Sequence, residues 1–373
     1  MSYEVDFLPV GDSNGDAIVI RYGSPQQGYL IHVVDGGFTD TGTTIVSHID
    51  HYYGARRIDH VVVTHSDSDH VAGLIEVVES FYVGAIWMNL PWLYVDEVID
   101  DFDPRFTRVG LRNRLRSAYP YLLELERIAR QRRIPVFPVF AGTQIGAFTV
   151  LAPTRDRYVS LIKDFPGTPR SFAVENAPNP FQQASGLGIG GLLSPSANPF
   201  LGAAVFSDQQ KWYHENWTHE TLSYSETSAP NESSVVQLGI LDGQRILLTA
   251  DAGPVALNEA ADVADILNLR TTYPYLVQVP HHGSRRNVNP SVLDRWLGGT
   301  MQVEGAQFGW AVCSVGANKP EYPRRRVSNA FMRRGYPVLA TRTMTQTFTS
   351  PGVPLRAGWG VGVPVPFASS FKE

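Results

Sequence analysis

Two histidines and two aspartates lie within six positions of one short stretch of the sequence. Residues 61–64, Val-Val-Val-Thr, are typical of a buried strand, and His65, Asp67, Asp69 and His70 follow directly. Carboxylates held this close repel each other unless a cation lies between them. The stretch therefore predicts a metal site. The alternative is a polar turn whose Asp and Ser residues cap the next helix.

A turn from strand to helix can aim all four side chains at one point. His65 and Asp67 would then face one ion, and Asp69 and His70 a second. Two divalent ions about 3.5–4 Å apart can clamp the attacking and leaving oxygens of a phosphoester or acyl bond. This arrangement predicts a hydrolase.

Two later apolar runs also end in residues that can bind metal. Residues 245–250 lead to Asp251, and residues 275–280 lead to His281 and His282. Open α/β sheets bind ligands at the carboxyl ends of their strands. We therefore expect three strand ends to deliver His and Asp side chains to one edge of the fold.

The motifs HSDSDH, LLTADAG and VPHHGS, in this order, resemble the metallo-β-lactamase superfamily, and within it most closely the hydrolase domain of the ComEC competence family. Four further segments match the same pattern: residues 7–20, 30–37, 231–236 and 314–319. The resemblance implies an α/β fold, namely an αββα metallo-β-lactamase sandwich with a long insertion. It also implies metal-dependent hydrolysis.

The resemblance further implies a set of site residues. Six would be metal ligands: His65, Asp67, Asp69, His70, Asp251 and His282. Three would be catalytic: Asp69, Asp251, which would bridge the two ions, and His281, which would lie near the substrate because alignment of the motif favours His282 as the ligand. Asp35 and Asn231 would support the ligands from behind, with Asp35 orienting the metal loop.

The sequence departs from the superfamily pattern at the first metal. The usual third histidine has no counterpart, because Asn231 and Ser234 occupy the matching stretch, and we interpret His214 and His219 as loop histidines. The first site is therefore richer in oxygen than usual. Two divalent ions are expected, Zn²⁺ or Mn²⁺, and Mg²⁺ is compatible as well.

Composition limits the classes of partner. The 373-residue chain is 43% hydrophobic and has a net charge of −5, so no global basic field would attract nucleic acid. Affinity for phosphate must come from local groups, for which Arg285, Arg286 and Lys319 are candidates. Cys313 is the only cysteine, and no signal sequence or membrane-length apolar run is found. We expect a cytoplasmic protein without a membrane partner.

The remaining elements follow from periodicity and from turn residues. Helices are predicted over residues 43–53, 74–81, 108–133 with a break at Pro120, 290–297 and 327–334, and strands over 83–89, 143–155 and 338–341. Many arginines lie in the segment 108–133, and they form either a phosphate-binding face or a solvated helix face: Arg112, Arg114, Arg116, Arg127, Arg130, Arg132 and Arg133.

One hydrolase domain is expected over residues 1–350, followed by an extended tail over 351–373. Residues 165–232 are rich in Gly, Pro, Ser and Asn, which indicates an insertion. It is either an active-site lid, a contact with a second copy or a partner protein, or a surface loop.

The three motifs predict a metal-dependent hydrolase that attacks a phosphodiester through a metal-bound hydroxide. The resemblance to the ComEC family implies a nuclease, with DNA or other nucleic acid as the expected substrate. Two alternatives stay open. One is a hydrolase of a small phosphoester, nucleotide or lactone, which the negative net charge favours. The other is a metal-stabilised interaction module without turnover.

Overall fold

Two seven-stranded β-sheets pack face to face in the part of the chain that the computed structural model describes, namely residues 2–169, 211–299, 303–353, 356–357 and 359–373. The strands are β1 (Ser2–Phe7), β2 (Ile18–Ser24), β3 (Gly28–Val34), β4 (Arg57–Val62), β5 (Tyr82–Trp87), β6 (Val136–Phe137), β7 (Gln144–Ile145), β8 (Phe148–Ala152), β9 (Trp212–His214), β10 (Val236–Leu241), β11 (Gln244–Leu248), β12 (Leu276–Gln278), β13 (Trp310–Cys313), β14 (Val338–Ala340), β15 (Gln346–Thr349) and β16 (Ser370–Lys372).

Helices cover the outer faces of both sheets. They are α1 (Thr39–His48), α2 (Ser68–Val71), α3 (Leu74–Ser80), α4 (Val95–Val98), α5 (Arg108–Ala118), α6 (Pro120–Arg132), α7 (Arg155–Leu161), α8 (Ala229–Glu232), α9 (Pro254–Ile266), α10 (Pro290–Leu297) and α11 (Arg325–Arg333). Shorter helical turns lie between these elements, at Ile49–Tyr53, Pro91–Leu93, Ile99–Asp101, Ile162–Asp164 and Pro280–Gly283.

The first sheet has the strand order β15-β1-β2-β3-β4-β5-β6. Its β15, β1, β2 and β3 pair antiparallel, whereas β3 to β6 run parallel. Parallel neighbours need a crossover, which α1 supplies between β3 and β4 and α3 supplies between β4 and β5. As a result, the carboxyl end of β4, where the first motif begins, lies at the same edge as the end of β3.

The second sheet has the order β14-β13-β12-β11-β10-β8-β7. Its strands from β7 to β11 pair antiparallel, and those from β11 to β14 run parallel, with α9, α10 and α11 in the crossovers. The second and third motifs follow β11 and β12, which are neighbouring parallel strands. Asp251, His281 and His282 therefore leave the second sheet at one edge.

Three layers of apolar side chains hold this architecture. Residues of both sheets, such as Val5, Ile20 and Leu276, fill the space between the sheets. One outer cluster packs α1, α3, α5 and α6 on the first sheet, and another packs α9, α10 and α11 on the second. The layers are helix, sheet, sheet and helix, so the predicted αββα sandwich is confirmed.

The helices that periodicity predicted are present, with shifted boundaries. The segment predicted over 43–53 begins earlier, at Thr39, and its last turn is a π-helix over Ile49–Tyr53. Pro120 separates α5 from α6, because proline fits the first turn of a helix and not its interior. The helix over Pro290–Leu297 has the predicted bounds.

The insertion and the tail meet on the second half of the fold. Residues 170–210 of the predicted insertion lie outside the described residues. Beyond them, β9 pairs antiparallel with β16 of the tail, and Arg333 of α11 forms a buried ion pair with Glu215 at 3.0 Å. Among the described helices, none has the length and apolar character needed to cross a membrane.

Candidate metal centre

Three loops, one from the first sheet and two from the second, meet at one edge of the sandwich. After β4 the chain turns through His65 into α2, whose N-terminal flanking residue is Asp67. The side chain of Asp67 makes no capping hydrogen bond, which argues against the simple helix-cap interpretation. Asp251 follows β11, and the histidine pair follows β12.

Four groups of three His and Asp residues have ligand atoms within 4.8 Å of one another in the described part of the chain. They are His65 with His70 and Asp251, Asp69 with His70 and His282, Asp251 with His281 and His282, and Asp16 with Asp35 and His70. His70 and Asp251 recur among these groups, so the first three form one continuous cluster. Such a cluster could hold a divalent metal ion.

Asp251 lies at the centre of the cluster. Its Oδ1 is 3.4 Å from His70 Nε2 and 3.8 Å from His282 Nε2, and its Oδ2 is 3.9 Å from His65 Nε2. His281 Nε2 lies 3.5 Å from the same Oδ2. These gaps are mostly longer than a hydrogen bond, and they leave room for a cation between the ligand atoms.

Within the described residues, four atoms that face this space have no hydrogen-bond partner. They are Nε2 of His65, His70 and His282 and Oδ1 of Asp251, all of them buried. Each buried polar atom left unpaired costs about 1–3 kcal/mol. Several such atoms pointing at one place fit a site built for a metal, since coordination would satisfy all of them together.

Asp35 supports the two candidate ligand histidines of the first motif from behind, His70 directly and His65 through Thr64. Its Oδ2 accepts from His70 Nδ1 at 2.8 Å and from Thr64 Oγ1 at 2.6 Å, and its Oδ1 accepts from the Thr64 amide at 2.9 Å. Thr64 Oγ1 in turn lies 3.1 Å from His65 Nδ1 and can accept its proton. With the proton on Nδ1, each histidine offers the Nε2 lone pair.

The histidine pair of the third motif is oriented by other groups. His282 Nδ1 donates to the Ser314 carbonyl at 3.0 Å. His281 Nδ1 lies 2.8 Å from Asn287 Oδ1, and Asn287 Nδ2 donates to the Asp251 carbonyl at 2.7 Å. Both histidines therefore point Nε2 toward the cluster.

Several site residues adopt left-handed backbone conformations. The φ angles are 57° at Asp35, 47° at Ala250, 46° at His281 and 55° at His282. This region costs about 1–2 kcal/mol for a residue other than glycine. Its repetition at the ligand loops indicates that the surrounding structure holds these side chains in place for a function.

The electrostatics of the cluster keep its carboxylates ionised. Burial alone would raise the pKa of Asp69, but the neighbouring His282 and His70 outweigh burial and hold the pKa at about 2. Burial opposes charge on His282 as well, yet Asp251, Asp69 and Asp16 raise its pKa to about 9. Ionised carboxylates are the form that binds metal.

The predicted residues differ in how closely they approach the cluster. Asp67 lies 3.7 Å from His65, outside the four groups, and its side chain is 41% exposed. Asn231 lies 3.0 Å from His281 Nδ1 through its amide. His214 and His219 belong to none of the four groups. The roles of all these residues stay predictions.

The predicted phosphate contacts lie on the two loops that hold His282. Arg285 is half-buried and Arg286 is exposed just beyond it, and Lys319 is half-buried in the loop that begins at Ser314. The three basic side chains are thus close in sequence to the candidate ligand His282 or to Ser314, whose carbonyl orients it.

The arginine-rich helices α5 and α6 resemble a solvated helix face more than an anion site. Six of the seven arginine side chains donate hydrogen bonds within the chain. Three donate to backbone carbonyls: Arg112 to Trp92, Arg114 to Gly167 and Arg132 to Val78. Three donate to carboxylates: Arg116 and Arg130 to Glu126, and Arg127 to Glu124.

Sequence reasoning missed three residues that surround the ligands. They are Asp16, Gln278 and Asn287, all buried. Gln278 left a signal, because it is a polar residue inside the apolar run 276–280. Asp16 lies in the segment 7–20 that the resemblance covers, but nothing in the segment marked it as a site residue, and Asn287 left no signal beyond its place in a turn.

Residues 10–140 match the family model of the metallo-beta-lactamase superfamily. The chain has the metallo-β-lactamase fold. The matched range contains the first motif and ends before Asp251. Comparison with curated protein sequences gave no match. Among solved structures, a mutant of the CmlA beta-hydroxylase is similar, with 12% identity and a TM-score of 0.41. That match covers 93% of this chain and 53% of the other, so this chain spans about half the length of the hydroxylase.

Proposed function

We propose that the protein is a metal-dependent hydrolase of phosphodiesters, with DNA or another nucleic acid as substrate. The observation that carries the proposal is the convergence of three unpartnered histidine Nε2 atoms on the buried carboxylate of Asp251. The match to the metallo-beta-lactamase superfamily supports hydrolysis in general. When bound, Zn²⁺, Mn²⁺ or Mg²⁺ would supply Lewis acidity and lower the pKa of water.

We assign the candidate ligands to two ions. The first would be held by His65, Asp67 and Asp251, and the second by Asp69, His70, Asp251 and His282. Asp35 would keep the proton of His70 on Nδ1. This support matters because a histidine protonated at Nε2 has no lone pair for a metal there.

The open side of the cluster would receive the substrate. The side chains of His281 and Asp69 are 33% and 26% exposed, whereas those of His65 and His70 are fully buried. His281, whose Nδ1 lies against Asn287 and Asn231, would turn Nε2 toward the substrate. Arginine guanidinium groups bind phosphate in a bidentate manner, which suits Arg285 and Arg286 for the scissile phosphate or its neighbour.

The test compares wild type with two Asp→Asn variants. Purified protein would be assayed on single- and double-stranded DNA, RNA and bis-p-nitrophenyl phosphate with Zn²⁺, Mn²⁺ or Mg²⁺. We expect metal-dependent cleavage of a polymer that falls by at least about 100-fold in Asp251→Asn. Asp265→Asn is the control, because Asp265 lies on α9, the helix that follows Asp251, and forms an ion pair with Arg270 at the surface.

Three outcomes would contradict the proposal. Equal activity of wild type and Asp251→Asn would place the chemistry elsewhere. Turnover of small esters alone would favour the small-molecule hydrolase. Bound metal without any turnover would favour the interaction module.

A further inference from the structure

Gln278 and Asp16 form a hydrogen bond that joins the two halves of the candidate metal centre. Gln278 ends β12 of the second sheet, and Asp16 lies just before β2 of the first. Gln278 Nε2 donates to Asp16 Oδ2 at 2.9 Å. The two residues are 1% and 2% exposed, so water does not compete for this bond.

On the second sheet, Gln278 holds the turn that carries Asp251. Its Oε1 accepts from the amides of Thr249 at 3.0 Å and Ala250 at 2.9 Å. Thr249 Oγ1 donates back to the Gln278 carbonyl at 2.9 Å. Ala250 has a φ of 47°, and its carbonyl accepts from the His281 amide at 3.0 Å. One amide side chain thus fixes the backbone from which both Asp251 and His281 project.

On the first sheet, Asp16 is tied to the loop of the first motif. Its amide donates to the Asp69 carbonyl at 3.2 Å, and its carbonyl accepts from the Gly37 amide at 2.7 Å. Its Oδ2 is 3.8 Å from His70 Nδ1. A side chain added at Gly15 would collide with the Asp69 carbonyl, so the segment before β2 and the ligand loop are in close contact.

We propose that Asp16 and Gln278 are positioning residues that set the distance between the Asp69–His70 half and the Asp251 half of the centre. The inference rests on the proposed metal-dependent function. Neither residue is assigned as a ligand. Metal–ligand distances are tolerated only within about 0.2 Å, and the two halves come from different sheets. A bond that locks the sheets at this edge therefore controls whether all ligands reach one ion.

The main test exchanges the donor and the acceptor. Gln278→Glu leaves two carboxylates facing each other and removes the donor, so we expect affinity for Zn²⁺ and Mn²⁺ to fall by about 10–100-fold, as for other residues that support ligands. The double variant Asp16→Asn with Gln278→Glu restores the bond with its polarity reversed at unchanged net charge. We expect it to recover most of the lost affinity. Equilibrium dialysis with metal analysis gives the affinities, and the absorption spectrum of the Co²⁺ form reports ligand geometry.

A matched pair of variants separates positioning from general loss of packing. Gln237 is also a fully buried glutamine of the second sheet, on β10, but in the described part of the chain its side chain makes no hydrogen bond to a residue of the centre. Gln278→Met should weaken metal binding and alter the Co²⁺ spectrum, whereas Gln237→Met should do neither. This pair also supplies the comparison if Gln278→Glu does not fold.

The outcomes distinguish this inference from the function on which it rests. A wild-type protein that binds no metal would overturn both. Wild-type affinity in folded Gln278→Glu or Gln278→Met would overturn only the positioning role, as would a double variant no better than Gln278→Glu alone.

Discussion

Replacing Asp35 by asparagine should weaken metal binding while leaving the fold nearly intact. Asn has the shape of Asp and tolerates the φ of 57° at this position. The Thr64 amide can still donate to the side-chain oxygen, as it does to Asp35 Oδ1 at 2.9 Å. At the Oδ2 position, however, an NH₂ group would face His70 Nδ1, which now lies 2.8 Å from a carboxylate oxygen.

The expected consequence is a change in the tautomer of His70. Its Nδ1 would accept from the new amide, so the proton would move to Nε2, the atom that faces Asp251. The Thr64 hydroxyl can rotate to adapt, so we expect the metal-free protein to lose about 1–3 kcal/mol of stability, the value of one or two hydrogen bonds. Metal affinity should fall by about 10–100-fold, or about 1.4–2.8 kcal/mol.

Chelator competition measures the affinity, and urea unfolding of the metal-free protein measures the stability. Asp40→Asn is the control, because Asp40 is exposed in the first turn of α1. A folded Asp35→Asn protein with wild-type metal affinity would refute the reasoning, since it would show that the tautomer of His70 does not govern binding.

Three further predictions concern stability. Burial, aided by His60, lowers the pKa of His32 to about 3, so only the unfolded chain takes up a proton at this histidine as the pH falls below about 6.5. The free energy of unfolding should therefore decline by up to about 5 kcal/mol between pH 6.5 and pH 3. Urea midpoints measured across this range should show the decline in wild type and a flatter profile in His32→Leu. Glu215→Gln should cost about 3–5 kcal/mol in urea unfolding, because it leaves Arg333 as a buried charge without its carboxylate; a loss under 1 kcal/mol would contradict this. Gly73→Ala should lower the thermal midpoint by several degrees, because the new methyl group would overlap the Gly36 carbonyl, and an unchanged midpoint would speak against that contact.

The sequence was informative where local chemistry decides the structure. Three apolar runs that each lead into His or Asp identified the strand ends of the site, and Pro120 marked the boundary between α5 and α6. Both features depend on neighbours within a few positions. They could therefore be interpreted without knowledge of the fold.

Contacts between distant parts of the chain could not be predicted in this way. Asp16 and Gln278 are 262 positions apart, and only the packing of the two sheets brings them together. The same holds for the pairing of β9 with β16, and for His32, whose burial beside Phe148 depends on the second sheet. Local periodicity carries no information about such partners.

The central claim is that the three loops bind divalent metal, and metal analysis of the purified protein tests it most directly. After incubation with Zn²⁺, Mn²⁺ or Mg²⁺ and removal of free metal, wild type should retain one to two equivalents of at least one of these ions, and Asp251→Asn should retain markedly less. Retention of none of them by the folded wild-type protein would contradict the account, as would equal retention by Asp251→Asn.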